Sequence, residues 1–160
     1  MLARILLISA LLMIASSVAP LAFAIDITLT GDWSTTIDSD DLISGAGSDL
    51  NPTYESPSDQ VLVDITNTMG GGDSWRVDVH KSDVAWNSDI TVYAHRTSNG
   101  TGGSVSGGTS YLQITVSDQT FFTGTDDVAD IGLQYKIDGI SIDINPNTYT
   151  TTIVYTVVDT

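Results

Sequence analysis

The sequence predicts an all-β protein, an antiparallel sandwich of about eight short strands. Three observations carry that expectation. Apolar and polar residues alternate with period two in stretch after stretch. Nineteen of the 20 acidic residues are Asp and only Glu55 is Glu, a bias toward turns and strand ends rather than helical surfaces. Clusters of Gly, Ser and Asn separate the alternating stretches at hairpin spacing.

The elements follow in chain order. Met1 to Ala24 has a short basic start, an apolar run and a small-x-small ending, Ala22-Phe23-Ala24. This is the pattern of a secretory signal peptide cut after Ala24. A single secreted domain, residues 25–160, would remain, with no further segment apolar enough to span a bilayer. The first strand of that domain sets Ile25, Ile27 and Leu29 against Asp26, Thr28 and Thr30. Val61, Val63 and Ile65 form the next alternating set. Trp75, Val77 and Val79 follow, opposed by Arg76, Asp78 and His80. Then come Ile90, Val92 and Ala94, and after them Leu112, Ile114 and Val116.

Residues 44–59, 68–73 and 98–110 read as turns and loops, the last as a flexible tip. Asp138-Gly139 reads as a two-residue hairpin turn. It would set Ile137 against Ile140, Tyr135 against Ile142 and Leu133 against Ile144, with Pro146 ending the returning strand. The chain closes on a strand that places Tyr149, Thr151, Ile153, Tyr155 and Val157 on one face.

Composition narrows the function. After signal removal the domain carries 20 acids against four bases, a field that repels nucleic acid and anionic lipid. The chain contains no cysteine, so thiol chemistry and Cys-type metal sites are excluded. His80 and His95 each fall on the outward face of a strand. A histidine pair across neighbouring strands could hold a metal, but solvated side chains are the simpler reading and no third ligand stands at a suitable spacing. The acid-rich stretches 36–42 and 124–130 offer oxygen donors of the kind Ca²⁺ takes. Neither matches a calcium-loop pattern, and solvated turns account for them. No nucleophile motif or phosphate loop is present, and nothing selects a carboxylate pair for glycoside chemistry. The expectation is therefore a protein that is not an enzyme and needs no cofactor. Trp33, Trp86, Tyr54 and Tyr93 could stack on sugars if exposed, and otherwise pack in the core or on a sheet face. Asn99-Gly100-Thr101 matches a glycosylation sequon.

From residue 61 onward the layout resembles the WxL surface domain of Gram-positive bacteria. The resemblance rests on "VLVDITNTMGGGDSWRV", on a Gly-rich centre and on the closing "TYTTTIVYTV". Trp75 and Val77 match one Trp-x-Leu/Val motif. Tyr155-Thr156-Val157 stands where the family has a second Trp-x-Leu. The resemblance implies a cell-surface structural and binding module that attaches to a cell-envelope polymer. The two ends of the domain are also similar to those of donor-strand fibre subunits such as the chaperone–usher pilins. Ile25, Ile27 and Leu29 fit the donor strand, and Ile153, Tyr155 and Val157 fit the closing strand. That likeness implies a pilus-like adhesion fibre whose partners are copies of itself.

Overall fold

The structure is a computed structural model and describes residues 24–160; the signal peptide expected at the N-terminus lies outside the described residues. Nine strands and one 3₁₀ turn, Ser39–Asp41, make up the regular structure there. The strands are β1 (Asp26–Thr30), β2 (Thr53–Glu55), β3 (Val61–Thr66), β4 (Ser74–Ala85), β5 (Thr91–Arg96), β6 (Thr101–Gly107), β7 (Leu112–Gln113), β8 (Gln119–Asp138) and β9 (Thr150–Asp159). Every pairing between them is antiparallel. The all-β antiparallel expectation holds.

The organising element is β8. Its 20 residues serve both halves of the fold. Residues 119–125 pair with β4 on one edge, and residues 122–129 pair with β6 on the other. Further on, β3 and then β2 take the first edge while β5 takes the second. Between the halves the strand bends. Asp126 and Asp130 have φ of 58° and 59°, in the left-handed region that Asp tolerates better than most residues. The path β1-β3-β8-β4-β9 thereby folds over on itself into a sandwich that is partly barrel-like.

The core fills the space between the folded halves. Val61, Val63 and Ile65 of β3 are buried, as are Trp75, Val77 and Val79 of β4, so the period-two phases read from the sequence are the observed ones. Trp75 is fully enclosed. Its ring meets Phe122 edge-on at 6.1 Å, and its Nε1–H donates to the Asp126 carbonyl at 2.9 Å. Each large side chain removed from water in this way contributes about 1.5–3 kcal/mol. The buried indole N–H keeps a partner, as it must to avoid a desolvation cost.

Five sequence expectations are corrected. Residues 98–110 contain β6 rather than a flexible tip. Glycine makes this strand: a Cβ on Gly103 would lie 1.9 Å from the Thr125 carbonyl, so the backbones approach more closely than other residues permit. Residues 44–59 include the short strand β2. The acid-rich run 124–130 lies inside β8 instead of forming a free turn. The hairpin at Asp138-Gly139 does not form. Gly139 does turn the chain, with φ of 91°, but both edges of Lys136–Asp138 are already taken, by β2 and by β5. A returning strand has nowhere to pair. Ile140 is instead buried, its N–H donating to the Pro52 carbonyl, while Ile142 is 58% exposed. The Leu112–Val116 alternation is also cut short. Ile114 is buried, but the chain then crosses to β4, where the Lys81 N–H donates to the Thr115 carbonyl, and Val116 is left exposed.

Candidate functional site: an aromatic groove between the layers

At one end the two layers part. The gap is a groove of about 890 Å³, entered between the segment following β1 and the first half of β9. Its walls come from distant parts of the chain. Leu29 and Trp33 stand on the β1 side, Trp86 follows β4, and Tyr149 and Ile153 belong to the closing segment. Val92, Ile137, Ile140 and Ile144 continue the apolar surface. Trp86 is fixed by its own backbone contact, Nε1–H donating to the Ile90 carbonyl at 2.7 Å. The Tyr149 hydroxyl donates to the Asn145 carbonyl at 2.6 Å. Both rings are thus held at the mouth by their polar tips, with their flat faces half-buried.

Tyr135 of β8 and Tyr155 of β9 also line the groove and join the two layers. Their hydroxyl oxygens are 2.9 Å apart in a buried hydrogen bond. Burial pushes the Tyr155 hydroxyl well above the ordinary tyrosine range, and the Tyr135 oxygen beside it acts in the same direction. Burial also raises Tyr135, partly offset by its bond to Tyr155. Both rings therefore remain neutral at any physiological pH.

The residues singled out in the sequence divide into two sets. Leu29, Ile153 and Tyr155 meet at the groove, with Leu29 40% exposed. Ile25, Ile27 and Val157 are half-buried against the core. Trp75 and Val77 are fully buried, so they act on any partner only through the fold. Of the four aromatics considered for stacking, Trp33 and Trp86 line the groove. Tyr93 faces elsewhere, with the Lys136 ammonium 4.7 Å from its ring centre. Tyr54 packs against the core. Sequence reasoning missed Ile137, Ile140 and Ile144 as groove residues because it had assigned them to a hairpin. Tyr149 carried a signal, since it shares the phase of Ile153 and Tyr155.

The histidines are not brought together. They stand on β4 and β5, which do not pair. His80 Nδ1 lies 2.6 Å from Asp118 Oδ1, while His95 Nε2 lies 2.8 Å from Gln134 Oε1 and its ring packs on Tyr111. Among the described residues no group of three or more His, Asp or Glu side chains is arranged to hold a metal ion. The acids of the bend are occupied in closing the loop before β4. Asp126 Oδ1 accepts from the Gly72 and Asp73 N–H groups, and Asp127 Oδ1 accepts from the Thr68 N–H and hydroxyl. The Thr68 contacts hold the Asp127 carboxyl below its usual range. Arg96 is buried and donates to the Gly107 and Ser98 carbonyls and to Asn99 Oδ1, pinning both ends of the loop that leads into and out of β6.

No protein family, curated protein or solved structure matches the chain.

Proposed function

We propose that the protein is a non-enzymatic structural and binding module of the cell exterior, secreted and WxL-like, which engages a cell-envelope polymer through the groove. The observation that supports this reading is the convergence of Trp33, Trp86 and Tyr149 at the mouth of an open apolar groove. Flat aromatic faces, those of Trp86 and Tyr149 with their polar tips already bonded, suit the apolar faces of sugar rings. The net charge of −15 keeps such a module from binding nucleic acid and anionic surfaces without selectivity.

The test is co-sedimentation of the purified protein with isolated cell walls, comparing wild type with the Trp33→Ala/Trp86→Ala double variant. Retention of the wild type and loss in the variant are expected. Equal retention of both, or release of soluble sugar by the wild type, would defeat the reading.

Assembly into an extracellular fibre is the second reading, and one observation favours it. Among the described residues β1 is an edge strand of five residues, paired only with β3 and exposed along most of its length. Ile25, Ile27 and Leu29 occupy their own sheet in the monomer, so donation to a neighbour requires leaving β3. A chain shortened to begin at Thr35 should lose filaments visible by negative-stain microscopy; filaments that persist would exclude N-terminal donation.

A further inference from the structure

We propose that β9 is a self-pairing edge, which joins two copies of the protein antiparallel through Thr151–Asp159. The proposal rests on the assembly reading above and moves the contact from the N-terminal strand to the C-terminal one.

The free side of β9 follows from its register. Thr160 N–H donates to the Ser74 carbonyl, and the β4–β9 pairing continues with Arg76 opposite Val158, Asp78 opposite Thr156 and His80 opposite Val154. In an antiparallel ladder, residues of hydrogen-bonded pairs point both backbone groups at the partner and the intervening residues point theirs away. The even-numbered residues of β9 are therefore spent on β4. Thr151, Ile153, Tyr155, Val157 and Asp159 aim their N–H and C=O groups outward. Among the described residues no backbone group answers them: β9 pairs with β4 alone. Strand β1 comes within 8 Å of β9 at Cα without pairing with it.

Edge strands are ordinarily protected by charge, proline, bulges or short length. In β9 these devices are missing. The strand is ten residues long and carries no charge before Asp159 and no proline. The irregularity in its pairing lies between Asp83 and Ala85, on the β4 side. By contrast, β1 has half the length and opens on Asp26, and β6 is broken by a register shift between Gly102 and Ser104.

A second copy is the partner that fits. A twofold axis through Val154 or through Tyr155 sets outward-aimed residues opposite one another. Asp159 then faces Tyr149 or Thr151 and never another acid. On the solvent face the axis brings Val154, Thr156 and Thr152 into cross-strand contact. This uncharged strip belongs to a chain with 20 acids and five bases, so like-charged copies are least repelled where this edge meets its equal.

Two variants and their mixture test the proposal. Thr152 and Thr156 are exposed, and the twofold places them directly opposite or diagonal to each other, within reach for charge interactions. The masses of wild type, Thr152→Lys/Thr156→Lys and Thr152→Glu/Thr156→Glu are measured by sedimentation velocity. Circular dichroism checks that each is folded. Wild type should show doubled mass, with dimerisation strengthened as salt rises from 0.01 M to 1 M and the screening length falls from about 30 Å to about 3 Å. Each variant alone should be monomeric. The lysine variant is the informative one, because lowering the net negative charge would by itself favour association. Mixing the two variants should restore doubled mass as a mixed dimer. Wild type that stays monomeric at high concentration and 1 M salt would overturn the proposal and the assembly reading together. Variants that associate like wild type, or a mixture that stays monomeric, would overturn the β9 contact. Filaments formed by those same variants would leave the assembly reading standing.

Discussion

A single methyl group added at Gly124 tests how the core is built. Gly124 lies in β8 opposite Trp75 of β4. A Cβ there would sit 2.3 Å from Trp75 Cζ2 and 2.4 Å from both Trp75 Cη2 and the Ser104 carbonyl oxygen. All three distances fall well inside van der Waals contact, and two strands are involved, so neither neighbour can yield alone. The indole has no free space to enter, since it is fully buried. Overpacking of this kind costs about 1–3 kcal/mol. A ring that swings aside also forfeits its bond to the Asp126 carbonyl, leaving buried groups unpaired at about 1–3 kcal/mol. Stiffening of the unfolded chain returns about 0.4–1 kcal/mol. Gly124→Ala should therefore destabilise the protein by about 2–4 kcal/mol, a fall in Tm of roughly 8–16 °C at about 4 °C per kcal/mol for a domain of this size. Thermal melts and urea titrations read the change. The Trp75→Phe/Gly124→Ala double variant should cost less than the two single changes added together, because a smaller ring admits the methyl. A single variant within 2 °C of wild type, or strict additivity in the double, would refute the packing argument.

Two further expectations follow from buried polar groups. The Tyr135 and Tyr155 hydroxyls titrate higher in the folded protein than in the unfolded chain. The unfolded chain thus loses these protons first, and stability should be complete below about pH 10 and fall above it. Urea titrations from pH 8 to pH 11.5 should show that fall, and the Tyr135→Phe/Tyr155→Phe double variant should flatten it. Replacing Arg96 with Met should leave the Gly107 and Ser98 carbonyls without their buried donor. Each costs about 1–3 kcal/mol, and hydrogen exchange should accelerate across residues 98–110 while the Trp75 region stays protected.

The strand phases were legible because burial on one face writes period two directly into the sequence. Trp75, Val77 and Val79 are the clearest case, and Val61, Val63 and Ile65 are another. What stayed hidden was the use of strand edges. Asp138-Gly139 has the residues of a hairpin turn, yet the outcome was decided by β2 and β5, 85 and 47 residues earlier, which hold both sides of Lys136–Asp138. Local sequence records turn geometry but not whether an edge is vacant. The glycines of residues 98–110 misled for a related reason. Glycine signals freedom in a loop and close approach in a strand, and only the position of Thr125 separates the two meanings at Gly103. Of the groove, Trp33, Trp86, Leu29 and Ile153 were visible as candidates, but not their meeting, which needs the bend at Asp126 and Asp130 to bring one layer over the other.

The long shared strand has a consequence for how the chain acquires its fold. Strands β2, β3, β4, β5 and β6 all take β8 as a ladder partner, and β8 begins only at Gln119. On a ribosome extending the chain at about 5–20 residues per second, the first three-quarters of the polypeptide emerges before the element it must pair with. Pairs such as β1 with β3 can form early, but the sandwich cannot close. Most contacts then join residues far apart in sequence, the arrangement that slows folding. The nascent protein thus lacks its closed sandwich for most of its synthesis, and the late segment that carries β8 and β9 completes the fold.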